Sequence, residues 1–174
     1  MRPMTATHYY SELESPLGTI TLCGDGRALT GLYMPRHKHW AGLESAWRRD
    51  DDAFAAVREQ LAEYFAGERQ TFDVPLKLVG TEFQRRVWRE LVGIPFGQTI
   101  SYGELARRVG NPAASRAVGA ANGRNPISII VPCHRVIATS GALTGYGGGI
   151  ENKERLLAWE RNAVQEPTGT AASR

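Results

Sequence analysis

Cys133 and His134 are neighbours in Pro132-Cys133-His134-Arg135-Val136. A thiol attacks only as its thiolate, so a reactive cysteine needs a base or a positive field close by. Adjacency alone does not supply the base, because neighbouring side chains on an extended chain point to opposite faces. A direct sulfur–imidazole hydrogen bond needs a bend at Cys133, or else a water between the groups, and the water is the better fit. A carboxylate is then expected to orient the imidazole. The candidates from residue 81 onward are Glu82, Glu90, Glu104, Glu151, Glu154, Glu160 and Glu166. Glu160 is preferred because it shares a helix face with Leu156. The bland alternative is a buried cysteine acting as a small hydrophobe. That description suits Cys23, which has neither His nor Arg beside it. The Pro, His and Arg around Cys133 do not suit a space-filler.

The elements that must position this pair lie on both sides of it. Ile127-Ser128-Ile129-Ile130-Val131 is apolar and β-branched, which predicts a short, fully buried strand that stops at Pro132 and presents Cys133 and His134 at its end. Upstream, Thr81 with Gln84 makes a capping box for a helix carrying Phe83, Val87, Trp88 and Leu91 on one face and stopping before Pro95. Ser101 with Glu104 makes a second box, opening a helix from Tyr102 to Val109. Gly110-Asn111-Pro112 breaks it, and a third helix runs from Ala113 to about Asn122. Two short helices joined by a Gly-containing turn outline a helix-turn-helix. The second is rich in small residues and carries Arg116 near its start. Such a helix either packs closely on another helix or lies on DNA with the Arg entering the duplex. Downstream, Thr144 to Gly149 is a Gly-rich loop without the Gly-Lys-Ser/Thr ending of a phosphate loop. Its glycines permit close backbone approach, with Tyr146 its bulky side chain. A last helix spans Asn152 to about Arg161.

Residues 8–34 predict an antiparallel meander with strands Tyr9–Leu13, Thr19–Cys23 and Leu29–Met34. His37, Lys38, His39 and Trp40 sit in a polar connection, where both histidines are expected to be exposed. A helix with Phe54, Val57, Leu61, Tyr64 and Phe65 as its apolar stripe follows and ends at Gly67. Phe72 to Val79 is a strand or extended segment. The expected fold class is α+β: a small N-terminal antiparallel sheet with a helix, then a mainly helical C-terminal domain holding the helix-turn-helix and the cysteine strand. The expected domains are a scaffold over 1–80, a reactive domain over 81–162 and a disordered tail over 163–174.

The 174 residues, 42% hydrophobic and 22% charged, describe an ordinary globular chain. No apolar run approaches the roughly 20 residues needed to span a bilayer. Met1 to Tyr10 lacks the apolar core of a secretion signal, so a cytoplasmic location is expected. Two cysteines exclude a disulfide framework; they allow one disulfide between them, but a reducing compartment favours two free thiols. Residues 81–174 hold 12 of the 21 Lys and Arg but only 7 of the 18 Asp and Glu. All but one of those 12 are Arg, the side chain suited to forked phosphate contacts. The bias fits either an anionic partner or an ordinary solvated surface.

Taken together, these motifs resemble the O6-alkylguanine-DNA alkyltransferase (methylated-DNA–protein-cysteine methyltransferase) family. The resemblance rests on Pro132 to Val136, the block Ile94-Pro95-Phe96-Gly97 to Ser101-Tyr102, Arg116-Ala117-Val118-Gly119, Asn125-Pro126, Tyr146 in the Gly-rich loop, and Leu156-Leu157 with Glu160. It covers about residues 8–162.

The resemblance implies a single-turnover transfer of an alkyl group from O6 of guanine in DNA, and from O4 of thymine, to Cys133, with no cofactor. His134 would deprotonate Cys133 through a water, with Glu160 behind the imidazole. Asn125 would be the hinge between recognition helix and cysteine segment. Tyr102 would rotate the nucleotide and help protonate the leaving guanine. Tyr146, Gly147, Val136 and Pro126 would form the base pocket. Arg116 would fill the gap left by the flipped base, and the DNA-contacting set would be Arg116, Tyr102, Gln84, Asn111, Ala117, Ala121 and Thr139. The partner would be double-stranded DNA containing O6-alkylguanine, met by a monomer able to cluster along the duplex. Two departures stand out. Some relatives carry a hydroxyl residue where this chain has Gly147, leaving only a backbone N–H to contact O6. Others bind a structural zinc through two Cys and two His, whereas Cys23 has no second cysteine in residues 1–80, so no metal is expected. Three other readings compete: a lesion-binding homologue, which replaces the acceptor Cys; a plain helix-turn-helix protein; and a cysteine hydrolase, which needs an oxyanion hole.

Overall fold

The computed structural model describes residues 7–165. Strands β1 (Tyr9–Ser15), β2 (Gly18–Gly24) and β3 (Leu29–Tyr33) form the expected meander. Two-residue β4 (Arg48–Arg49), which the sequence pattern does not signal, pairs parallel to β1 and gives the order β3-β2-β1-β4. The β1–β2 turn closes at Ser15 opposite Gly18, whose φ of 101° needs glycine. At the next turn the Asp25 carboxylate accepts the N–H groups of Arg27 and Ala28, an Asx turn that fixes the hairpin. Ile20, Leu22, Leu29 and Leu32 are fully or almost fully buried. At roughly 1.5–3 kcal/mol each, they weld the sheet to what lies over it.

Helix α1 (Ala55–Phe65) follows a 3-10 turn at Asp52–Phe54 and buries Val57, Leu61 and Tyr64. Phe72 to Val79 forms no strand. It makes an isolated bridge, Leu29 to Leu76, with Leu29 N–H on Pro75 O and Lys77 N–H on Leu29 O. Helix α2 (Glu82–Val92) starts with both halves of the Thr81–Gln84 capping box in place. The second box is one-sided. Ser101 Oγ accepts the Glu104 N–H, but the Glu104 carboxylate turns to Arg107 and Arg108. Two cations within one turn outcompete a single backbone N–H for the carboxylate.

Strand β5 (Ile100–Ser101) leads into α3 (Tyr102–Arg108), and α4 is Ser115–Gly123. Gly110, at φ 83°, makes the turn between them. The Tyr102 ring lies against α4 at Gly119, where an added Cβ would make an ordinary contact with it at 3.6 Å. Strand β6 (Val136–Ile137) pairs parallel with β5. Helix α5 runs Ile150–Gln165, longer at both ends than expected. Its last residues overlap the segment read as a disordered tail; Glu166 and the rest of that tail lie outside the described residues.

The main correction concerns residues 127–137. No continuous buried strand forms there. Ile127 bridges Leu32 alone, Ser128–Ile130 is a turn with Ile129 at φ 71°, and Cys133–Arg135 is a 3-10 turn. The cause is Asn125. Its Nδ2 donates to the carbonyls of Ile127 (3.3 Å) and Val131 (2.7 Å), and its Oδ1 accepts the Ile127 N–H (3.0 Å). These are backbone groups that a strand ladder would otherwise satisfy, so the run can be buried without being extended. The edge of β3 holds it, with Leu32 N–H on Pro126 O and Ser128 N–H on Leu32 O. The buried residues of both halves of the chain form one continuous cluster.

Candidate active site

Cys133 opens the 3-10 turn and is 3% exposed. Asn122 Nδ2 donates to its carbonyl oxygen at 3.2 Å. Burial pushes the thiol up to about 11, against the opposing pull of the Asn125 side chain and the Lys153 ammonium. The resting group is therefore a neutral thiol, and deprotonation must be assisted. Cys23 is also buried and free, raised to about 12 by burial alone, consistent with a packing role.

His134 is fully buried. Its Nε2 lies 2.6 Å from Glu160 Oε2, while its Nδ1 is buried with no hydrogen-bond partner among the described residues. Burial holds the imidazole below its ordinary pKa despite the raising effect of Glu160. Burial by itself would raise the Glu160 carboxyl, but hydrogen bonds and charge from His134 and Arg135 hold it well below the carboxylate range. An ionised carboxylate only accepts, so the neutral imidazole carries its proton on Nε2. Nδ1 is then a free lone pair, the state required of a general base.

The Glu160 carboxylate is the hub of this centre. Oε1 accepts from Arg135 Nε at 2.7 Å and Gly97 N–H at 3.2 Å, and Oε2 accepts from Tyr64 Oη at 2.7 Å and Arg135 Nη2 at 3.1 Å. Arg135 also donates to Ile94 O at 2.7 Å. Sequence reasoning selected Glu160 but missed Arg135 and Tyr64. The Arg next to His134 was the available signal for the first. Nothing local marks the second, which reaches in from α1.

Lys153 is a further missed residue. It is fully buried on α5, and its Nζ donates to Val136 O (2.6 Å) and Thr144 O (2.8 Å), tying the Gly-rich loop to the cysteine segment. Burial lowers it to about 8, with Cys133 acting in the opposite direction, so it is largely charged at neutral pH. Tyr102 Oη also donates to Thr144 O, at 3.0 Å. Burial raises the Tyr102 phenol above its ordinary value.

Tyr146 is buried on the loop, with Gly147 beside it. Val136 is buried and Pro126 half-buried, so the four expected pocket residues do not share one exposed wall. A cavity of about 450 Å³ separates α4 from the loop, lined by Gly119, Ala120, Gly123, Arg124, Gly145, Tyr146 and Gly147, with Lys38, His39 and Ile150. Cys133 is not on its wall.

Arg116, Ala117, Asn111 and Thr139 are exposed, and Arg116 has no ion-pair partner among the described residues. Ala121 is not on this surface. It is 3% exposed and its carbonyl accepts Trp88 Nε1–H at 2.8 Å, because the i+4 position from Ala117 rotates toward α2; Ala120 is the exposed residue instead. The Gln84 side chain is engaged as the cap of α2. His37, expected to be exposed, is buried. Among the described residues no group of three or more His, Cys, Asp or Glu is arranged to hold a metal, and no helix is long and apolar enough to cross a membrane.

Residues 8–78 match the family model for the 6-O-methylguanine DNA methyltransferase ribonuclease-like domain, and residues 82–162 the model for the DNA binding domain of the same family. The chain is 54% identical over 152 residues to a methylated-DNA–protein-cysteine methyltransferase of Mycolicibacterium paratuberculosis, covering 87% of this chain and 92% of that one. It is 50% identical to a relative of the same name from Methanosarcina acetivorans, covering 87% and 97%. The structure of Mycobacterium tuberculosis OGT in complex with DNA superposes with a TM-score of 0.84 at 52% identity, covering 89% of this chain and 94% of that one. With its cysteine, imidazole and carboxylate in one buried centre behind a helix-turn-helix, this chain belongs to the methylated-DNA–protein-cysteine methyltransferase family.

Proposed function

We propose that this protein repairs DNA by moving the alkyl group of O6-alkylguanine irreversibly to its own Cys133. The observation that carries the reading is the His134–Glu160 pair, which leaves Nδ1 unpartnered on the residue that follows a thiol too high in pKa to ionise unaided. His134 takes the Cys133 proton through a water at Nδ1, and Glu160 with Arg135 holds the ring and stabilises the imidazolium. The sulfur displaces O6 at the alkyl carbon, so a C–S bond forms as the C–O bond breaks and the electron pair leaves with the purine. The proton count closes because restored guanine carries an N1 proton that its O6-alkyl form lacks; Tyr102 helps deliver it. The thioether is stable at neutral pH, which limits each molecule to one transfer.

The base reaches this buried thiol only if it leaves the duplex. The exposed face Arg116-Ala117-Ala120 of α4 suits close approach to a minor groove, with Arg116 filling the vacated stack. Asn125 serves as the hinge between that helix and the Cys133 turn, Tyr146 walls the pocket, and Asn111 and Thr139 contact the backbone. The domain division is 1–80 as scaffold and 81–162 as reactive part. The protein works as a monomer in the cytoplasm, where both cysteines stay reduced, and O4-methylthymine is a second substrate. Duplex DNA labelled in the O6-methyl group tests the reading: label should move to the protein and be absent from Cys133→Ser. Label retained on DNA by the unaltered protein would refute it.

A further inference from the structure

Residues 34–40, which leave β3, contain no group used in the chemistry above. They nonetheless lie against the Gly-rich loop. Lys38 N–H donates to Gly147 O at 2.8 Å, and Met34 Sδ is 3.9 Å from Tyr146 Oη. The opposite end of the loop is anchored at Thr144 O by Tyr102 and Lys153. The loop is thus clamped by one half of the chain at residue 144 and by the other at residues 146–147.

The closest approach is at Gly147. A Cβ there would stand 2.6 Å from His37 Nε2, 2.7 Å from His37 Cε1 and 3.0 Å from Gly123 O. Real side chains do not tolerate the first two distances. Gly147 is not in the left-handed region, so space rather than backbone conformation excludes a side chain. Nor is the imidazole free to swing aside. It is buried, its Nδ1 accepts the His39 N–H at 3.2 Å, and its ring meets Tyr33 edge-on at 5.2 Å between centroids. Tyr33 in turn stacks on Trp40 at 5.1 Å.

We infer that His37 and Gly147 are a matched pair through which the N-terminal half sets the position of Tyr146, making His37 a positioning residue that determines which O6 substituents the pocket accepts. The inference rests on the reading of Cys133 as alkyl acceptor with Tyr146 as pocket wall. It also accounts for the glycine at position 147: a serine fits here only if His37 becomes smaller.

The test compares the unaltered protein with Gly147→Ser, His37→Ala and the double variant. Mass gain at Cys133 is followed over time with O6-methylguanine duplex DNA and with free O6-benzylguanine, alongside thermal midpoints. Overpacking predicts that Gly147→Ser slows methyl transfer by about tenfold or more. The double variant should recover to within about threefold of His37→Ala, a non-additivity expected only of residues in contact. His37→Ala by itself should raise the benzyl-to-methyl rate ratio by about threefold or more, because the loop can move outward. A purely structural His37 would not move that ratio. If Gly147→Ser fails to fold, recovery of the thermal midpoint in the double variant takes the place of the rate. Unimpaired Gly147→Ser, a double variant no better than Gly147→Ser, or an unchanged ratio would each overturn the pairing. If the unaltered protein gains no mass on either substrate, the Cys133 reading fails instead.

Discussion

Glu160 Oε2 lies 2.6 Å from His134 Nε2, and Arg135 donates to the same carboxylate through Nε to Oε1 and through Nη2 to Oε2. The carboxylate therefore carries two duties. It fixes the imidazole tautomer, and it neutralises a guanidinium that has been taken out of water. Glu160→Gln keeps the shape but removes the charge. Breaking a buried pair by removing one partner costs about 3–5 kcal/mol. Transfer should fall by about a hundredfold or more through loss of the base. Urea unfolding and single-turnover rates on methylated DNA measure the two effects separately.

The pH dependence of stability follows from the same carboxylate. Its pKa is depressed in the folded state, so its contribution is fully present above the unfolded value of about 4.3 and is lost as pH falls toward the folded value. His134, held low by burial, adds an earlier decline from about 6.5 downward, where the unfolded imidazole takes up a proton. Urea midpoints against pH should therefore fall gently below about 6.5 and steeply below about 4. Glu160→Gln should lose the steep part.

Tyr64 brings the N-terminal half into the catalytic centre through its 2.7 Å bond to Glu160 Oε2. Tyr64→Phe leaves the packing intact and removes only the hydroxyl. A hydrogen bond to a charged acceptor is worth about 1.5–3 kcal/mol, and stability should drop by that order. A slower transfer rate should accompany it, because the carboxylate that orients His134 loses one of its restraints. Unaltered stability and rate would mean that Arg135 and Gly97 hold Glu160 without help.

Lys153→Met removes two hydrogen bonds that span from the Cys133 segment to the Gly-rich loop and leaves Val136 O and Thr144 O without that donor. Thr144 O keeps its bond from Tyr102 Oη, so the loss should be about 1–3 kcal/mol, arising at Val136 O. The Cys133 thiol should also titrate higher, because the Lys153 charge pulls it down. Ultraviolet titration of the thiolate checks the direction.

Arg116→Ala should weaken transfer from duplex DNA far more than transfer from the free base, since only the duplex has a gap to fill. Equal losses on both substrates would remove the intercalating role. Affinity for duplex DNA should also fall linearly with salt on logarithmic axes, as expected of phosphate contacts by the Arg-rich half.

What could be read from the sequence was mostly local. The Thr81–Gln84 box, the β1–β2 turn and the stripe of α1 depend on residues within a few positions of each other, and the structure reproduces them. Glu160 was legible because its helix face was. Tyr64 was not, since it meets Glu160 from 96 residues away. The run Ile127–Val131 resembles a strand in sequence because apolar content signals burial but not the source of backbone hydrogen bonds. Asn125 supplies them from just before the run, and no periodicity records that. His37 looked exposed for a similar reason: its burial comes from a loop more than a hundred residues later.

Transfer to Cys133 is stoichiometric in the proposed reaction, because the thioether is not reversed. Intact mass before and after incubation with excess O6-methylguanine duplex measures it most directly. Each molecule should gain one methyl group, located on the peptide containing Cys133, with no further turnover. An unmodified protein, or more than one equivalent of guanine restored per molecule, would contradict it.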